Sequence, residues 1–104
     1  MNIEVIQTDA LDELNDMMAF WYLPDEKIIS DDGWTYHEVY EETTQTEELA
    51  IKCCERFFCE FYQSEKEFIY RLKDNEDKET GITRLIQAIT MFNTLYFKWE
   101  EETQ

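Results

Sequence analysis

The segment Thr46–Tyr62, with the sequence TEELAIKCCERFFCEFY, constrains the fold of this chain more than any other stretch. On a helical wheel its apolar side chains cover about half of the circumference, and its charged side chains occupy the remainder. A helix with so wide an apolar arc must be covered from more than one side. Because amphipathic stretches flank it in sequence, we expect an α+β fold that is mainly α, with three to four helices packed around this central helix.

Two capping signals bear on the extent of that helix. Residues 44–47 match the capping box, in which Ser or Thr is followed three residues later by Glu, and this predicts a helix start. Residues 64–67 match the same box, so the stretch 46–73 is predicted to form either one helix or two. The polar linker 74–79 follows, and it lacks the ligand spacing of a calcium-binding loop.

The most regular apolar stripe of the chain lies in Thr80–Trp99, which contains no acidic residue. This pattern predicts a final helix that faces other protein, either the acidic half of the chain or a second copy in a homodimer. Residues 100–104 are expected to fray. We therefore expect one compact domain over residues 1–104, with a helical core over residues 44–99.

The N-terminal part combines a predicted strand with a predicted helix. Residues 2–8 alternate apolar and polar side chains and are expected to form a short strand. Residues 8–23 are expected to form a helix that ends before Pro24. The apolar stripe of this helix contains Leu11, Leu14, Met18 and Trp21, and its opposite face contains Asp9, Asp12, Glu13 and Asp16.

The carboxylates of that face permit two interpretations. Acidic side chains in the first turn complement the positive end of a helix dipole, as on any surface helix. Carboxylates three or four residues apart on a helix also lie about 5–6 Å apart, close to the spacing of successive phosphates along a nucleic-acid strand. No lysine or arginine is interleaved with them, which the first interpretation explains less well, and both interpretations stay open for this helix.

A small β-hairpin is predicted near residues 27–40. Two β-prone runs, Lys27–Ser30 and Trp34–Tyr40, are separated by an Asp-Asp-Gly turn signal. Large aromatic side chains interleaved with carboxylates are typical of a protein-binding surface, although Trp34 and Tyr36 could instead cover the helical core. His37 has no catalytic partner in the sequence and is given no role.

The net charge of the chain and its uneven distribution indicate which class of partner the protein binds. The chain contains 25 acidic and 9 basic residues, for a net charge of −16, and residues 1–51 form the acidic face, with 14 of the acidic residues and a single cation, Lys27. This asymmetry disfavours binding to nucleic acid or to an anionic membrane and favours a basic protein partner. With 15% aromatic residues, the chain has enough apolar material to fold.

Several functional classes find no support in the sequence. No catalytic motif is present, and an enzyme that uses paired acids is disfavoured at this length. Three cysteines within seven residues are expected to be reduced core residues, and no metal or cofactor is expected. The N-terminus has neither a basic region nor an apolar run, so a cytoplasmic location is expected.

The candidate partner-binding residues lie between positions 9 and 42. Carboxylates are expected to contact the basic residues of the partner, and Phe20, Trp34 and Tyr36 are expected to add apolar anchor area. The full set is Asp9, Asp12, Glu13, Asp16, Phe20, Asp25, Glu26, Asp31, Asp32, Trp34, Tyr36, Glu38, Glu41 and Glu42.

In size, charge and aromatic content the chain resembles the small acidic anti-restriction and anti-CRISPR inhibitors of phages and mobile elements, which mimic DNA. The resemblance is one of composition, without a shared motif, and it transfers no individual residues. It implies a non-enzymatic inhibitor that binds a basic nucleic-acid-binding or nucleic-acid-cleaving protein through phosphate-like carboxylates. Immunity proteins that neutralise nuclease toxins are similar in the same respects, and a dimerising regulatory subunit is a further alternative.

Overall fold

The computed structural model describes residues 2–11, 16–39 and 42–103, with side chains as far as Lys98. Its centre is a five-stranded antiparallel sheet in the order β1-β2-β3-β5-β4. The strands are β1 (Glu4–Leu11), β2 (Met17–Leu23), β3 (Ile28–Ser30), β4 (Glu60–Tyr62) and β5 (Glu67–Arg71). The helices of the described residues are α1 (Trp34–His37), α2 (Thr44–Arg56) and α3 (Lys78–Thr103).

The helices cover one face of the sheet, which we call the inner face. Helix α3 contacts β3 and β5, and α2 contacts β4 and α3. The approach is close at Gly81, where an added Cβ atom would lie 2.8 Å from Ile29 Cδ1 and 2.9 Å from Tyr70 Cδ1. The core between the layers contains buried aromatic and aliphatic side chains, among them Phe20, Ile29, Phe68, Leu85, Ile89, Phe92 and Tyr96.

The predicted mainly helical fold around a central helix is therefore wrong. Helix α2 ends at Arg56, and the rest of the predicted segment turns and enters β4. The helix ends without glycine or proline: Phe58 adopts a left-handed conformation with φ of 62°, and Cys59 N donates to Cys54 O at 2.8 Å. Because no sequence breaker marks this end, the aromatic residues that follow read as a continuation of the helical arc.

The second capping box also does not start a helix. Residues 63–66 form the turn between β4 and β5, and Lys66 has a positive φ of 58°. Neither one helix nor two therefore spans 46–73. The start of α2 lies close to its predicted position: Thr43 is the N-cap, and its Oγ1 accepts a hydrogen bond from Thr46 N at 3.1 Å.

The predicted helix over residues 8–23 is replaced by a β-hairpin. Strands β1 and β2 pair with Val5 opposite Trp21 and Ile6 opposite Phe20. Their register shifts between Gln7 and Leu11, where Thr8 Oγ1 donates to Met18 O at 2.8 Å and accepts from Ala10 N at 3.2 Å. The run Met17–Leu23 is apolar throughout, so it fits both a helical and a strand period, and its aromatic residues favour the strand.

The predicted hairpin near 27–40 is half correct. Strand β3 forms within Lys27–Ser30 as predicted, but Trp34–His37 is a helical turn, and the Asp-Asp-Gly signal precedes that turn instead of joining two strands. Gly33 has a φ of 82°, in the left-handed region that glycine adopts without steric strain, and it directly precedes α1. Strand β3 pairs instead with β2 and with the distant strand β5.

The predicted final helix is confirmed and is longer than expected. Its buried stripe includes Leu85, Ile89, Phe92 and Tyr96. Asp77 Oδ1 accepts from Thr80 N at 3.0 Å at its start, and helical backbone continues to Thr103 instead of ending at residue 99. Because the stripe packs within the chain, the surface expected to form a homodimer is largely covered.

Candidate functional site

The candidate residues separate into exposed, half-buried and buried groups. Asp9, Asp16, Asp25, Glu26, Asp32 and Glu42 are exposed, and Trp34 and Glu38 are half-buried. Phe20, Asp31 and Tyr36 are fully buried and do not belong to any surface that a partner reaches in this conformation. Asp12, Glu13 and Glu41 lie outside the described residues.

The exposed acids do not form one row. Asp16 precedes β2 and Asp25 follows it, so the seven residues of the strand separate them by roughly 25 Å. Asp9 lies in β1, where neighbouring side chains alternate between faces, so the helical phosphate spacing predicted for this stretch does not apply. Charge is instead distributed over both ends of the hairpin.

At one end the structure brings three of the predicted residues together. Asp16, Trp34 and Glu38 line a depression of about 230 Å³ with Met17 and Ala19. The Trp34 indole is fixed there because its Nε1 donates to Ala19 O at 3.1 Å and its ring centroid lies 6.4 Å from that of Phe20. This depression presents one aromatic edge beside two carboxylates.

Asp31 is a structural carboxylate. Its Oδ1 accepts from Gly33 N and Phe68 N, both at 2.9 Å, and its Oδ2 accepts from Thr35 N at 3.3 Å. These bonds fasten the start of α1 to β5. Burial raises the pKa of Asp31 to about 6, although the hydrogen bonds oppose the shift.

The face of the sheet opposite the helices, which we call the outer face, exposes apolar side chains of β1, β2 and β4. Met17 is 63% and Val5 60% exposed, and Trp21 and Tyr62 are also exposed. Sequence reasoning assigned Trp21 to the buried stripe of a helix and Tyr62 to the core helix, so it missed this surface. The sequence contains no signal for it, because the run Met17–Leu23 is apolar throughout; the alternation appears only in the burial of the folded strand, where Met18 and Phe20 are buried and Met17 and Trp21 are exposed.

The cysteines have no reactive environment. Cys53, Cys54 and Cys59 are buried and free. Burial raises the pKa of Cys53 to about 11 and that of Cys59 to about 12, and the pKa of Cys54 is raised further. These thiols are therefore protonated at neutral pH and pack as apolar groups.

The described residues contain no group of three or more His, Cys, Asp or Glu side chains arranged to hold a metal ion. Among the helices they form, none has a stretch long and apolar enough to cross a membrane.

Comparisons with protein-family models, with curated protein sequences and with solved structures found no match to this chain.

Proposed function

We propose that this protein is a non-enzymatic binding protein that occupies the basic surface of a nucleic-acid-binding or nucleic-acid-cleaving protein and blocks its access to nucleic acid. The observation that carries the proposal is the state of the exposed carboxylates. Asp9, Asp25, Glu26, Asp32 and Glu42 are exposed, and none forms a salt bridge with another described residue.

Four of the nine cations form salt bridges with other carboxylates of the described residues. Lys27 pairs with Asp74 at 3.3 Å and Lys78 with Glu4 at 3.2 Å, and Lys66 pairs with Glu47. With a net charge of −16, the remaining carboxylates repel one another, and a basic partner relieves that repulsion. The same lysines and arginines that a nuclease uses for phosphates would be neutralised, so binding would be competitive with nucleic acid.

This mechanism does not depend on a phosphate-like helix. Carboxylates at both ends of the β1–β2 hairpin would contact basic residues over an extended surface, and the molecule is 44 Å long in its longest dimension. A phage inhibitor of a host nuclease and an immunity protein against a nuclease toxin would use the same chemistry. The proposal covers both, because their targets share a basic active-site surface.

The test begins with the immobilised protein and a cell extract. Each captured protein is purified, and its binding to a fluorescent DNA or RNA duplex is measured with and without this protein. We expect a captured nucleic-acid-binding protein to be displaced from the duplex. Captured proteins that lack a basic nucleic-acid site, or that keep the duplex bound, would overturn the proposal.

A matched pair of variants then tests the role of the carboxylates. Asp9→Lys with Asp25→Lys reverses charge at both ends of the hairpin, and Glu48→Lys with Glu55→Lys makes the same change in net charge on exposed positions of α2. We expect the first pair to slow association about tenfold and to flatten its salt dependence, and the second to do little. An equal effect of both pairs would indicate a general attraction without a localised surface.

A further inference from the structure

The outer face of the sheet contains a groove between its strands. Strand pairing places Trp21, Ser30, Ile69 and Glu60 in one row across β2, β3, β5 and β4. The next rows on the same face contain Leu23 and Ile28 on one side and Tyr62 and Glu67 on the other. Leu23, Glu26, Ile28, Ser30, Tyr62, Glu65, Glu67 and Ile69 line a groove of about 260 Å³ between these rows.

The floor and the rim of this groove differ in chemistry. Ser30 and Ile69 are buried at the floor, and Leu23 and Ile28 are half-buried beside them. Tyr62 is 45% exposed and presents its ring from the neighbouring strand. Three carboxylates, those of Glu26, Glu65 and Glu67, lie at the rim. An aliphatic stem therefore fits the floor while a cationic head reaches the rim.

The rim carboxylates are not neutralised by the chain itself. Glu67 accepts a hydrogen bond from Ser30 Oγ and Glu65 from Ser64 Oγ, and neither of them, nor Glu26, forms a salt bridge with another described residue. Arg71 lies on the same face, but its Nε donates to Glu60 Oε2 at 2.8 Å. The groove consequently combines apolar area with unbalanced negative charge.

We propose that this groove binds an arginine side chain of a basic protein partner, with the exposed apolar residues of the outer face packing against apolar residues next to that arginine. The choice of a basic partner rests on the proposed function. A guanidinium group suits the site because it is planar and weakly hydrated, stacks on an aromatic ring such as that of Tyr62, and donates to carboxylates in a fork.

Charge complementarity selects this occupant over the alternatives. A second copy of the chain would bring another net charge of −16 and another acidic rim against the first. Nucleic acid would be repelled for the same reason. An exposed apolar face with an acidic rim is instead complementary to a surface in which arginine alternates with apolar side chains.

The test uses a blocked tripeptide, Ile-Arg-Ile, and the same peptide with citrulline, a neutral group of the same shape, in place of arginine. Both are titrated into the full chain while backbone amide shifts are recorded by NMR. We expect saturable shifts at Ile28, Ser30 and Ile69 with the arginine peptide and none with the citrulline peptide. Shifts spread over exposed acids throughout the molecule, without saturation in the groove, would overturn the proposal.

A matched pair of variants separates the groove from general electrostatics. Glu65→Gln with Glu67→Gln removes two rim charges and leaves an acceptor for Ser30, and Glu48→Gln with Glu55→Gln removes two charges on α2. We expect the first pair to lower the affinity for the arginine peptide roughly fivefold. The second pair should change that affinity by no more than about twofold. Equal weakening by both, with the spectra otherwise unchanged, would refute a localised site.

These outcomes are independent of those for the proposed function. Peptide binding in the groove without any nucleic-acid-binding partner would overturn the function and retain the groove. If this protein displaces nucleic acid from its partner but its groove binds no arginine peptide, the groove proposal is overturned and the proposed function is retained.

Discussion

The two faces of the sheet are made from alternate residues of the same strands, yet they have opposite environments. Met18 and Phe20 of β2 point inward and are fully buried, whereas Met17 and Trp21 point outward and are exposed. On the inner side Phe68 and Phe92 pack edge to face with centroids 5.4 Å apart. The inner face thus supplies stability, and equally apolar residues of the outer face are left available for a partner.

The charged groups repeat this contrast. Asp31, at the end of β3, is buried and held by three backbone N–H groups. The carboxylates of the outer groove are accessible and have no basic partner among the described residues. A carboxylate is thus a structural group where it is buried and a candidate binding group where it is exposed. The number of acidic residues in a sequence therefore does not locate a binding site.

The largest expected effect compares two adjacent methionines. Met18→Ala should lower the free energy of unfolding by about 2–5 kcal/mol, because Met18 is buried in the core and its removal leaves a cavity. Met17→Ala, at an exposed position of the same strand, should change it by no more than about 0.5 kcal/mol. Urea denaturation followed by circular dichroism measures both. Similar losses for the two variants would mean that the outer face is also covered.

A second comparison uses pH to separate the buried carboxylate from the exposed ones. The pKa of Asp31 is about 6 in the folded protein and 3.8 for an unperturbed group, so the folded state holds the proton that the unfolded chain releases. Its contribution to stability is therefore lost as pH rises through this interval. Acidification from about pH 7.5 to about pH 5 should stabilise the protein by on the order of 1 kcal/mol through this group.

Asp31→Asn is the control for that prediction. Acidification also stabilises the protein by reducing repulsion among the exposed acids, but this contribution is the same in wild type and in Asp31→Asn. The difference in unfolding free energy between wild type and variant should change by on the order of 1 kcal/mol over this pH range. A difference that stays constant would show that Asp31 titrates normally.

Salt should act on the exposed charges alone. Raising sodium chloride from low ionic strength to about 0.15 M, where the Debye length is about 8 Å, should stabilise the free protein by on the order of 1 kcal/mol, because like charges are screened. Differential scanning calorimetry measures the shift in Tm, and Asp31→Asn should show the same shift as wild type. A Tm that is unchanged or lowered by salt would mean that the exposed acids are already compensated.

The smallest effect concerns the exposed aromatic residue at the end of α2. Phe58 is 70% exposed with a φ of 62°, a conformation that glycine adopts without strain. Phe58→Gly should stabilise the protein by about 0.5 kcal/mol, because the loss of the Arg84 guanidinium contact, 5.1 Å from the ring centroid, offsets part of the gain. Phe57→Gly is the contrasting variant and should destabilise, since Phe57 packs against the core. A loss of stability in Phe58→Gly would show that the ring contributes more than its exposure indicates.

Some of the fold could be predicted from local pattern alone. The stripe of Leu85, Ile89, Phe92 and Tyr96 recurs over several turns, and a long periodic stretch has no competing interpretation. The short strand β3 was also predicted. The hairpin of β1 and β2 was not, because an unbroken apolar run such as Met17–Leu23 fits both periods, and only pairing with neighbouring strands decides between them.

The candidate site shows the same limit. Glu26 was predicted on composition and does lie at the outer groove, but Tyr62, Glu65 and Glu67 were assigned to helices. Asp31 was predicted as a surface residue and is buried, and Tyr36, for which the sequence left surface and core open, is buried as well. Residues of β3 and β5 that form the groove floor, such as Ser30 and Ile69, are distant in sequence and are brought together only by strand pairing.

The electrostatic character of the molecule, with 25 acidic and 9 basic residues, and the final helix follow from local sequence, because charge counts and long helical periods are local properties. Which carboxylates are exposed and which apolar residues remain uncovered depends on strand pairing and on the packing of the helices against the sheet. The pairing of Ile28 with Arg71 and of Ser30 with Ile69 joins positions about forty residues apart, and the free energy of such contacts depends on the packing of the whole sheet.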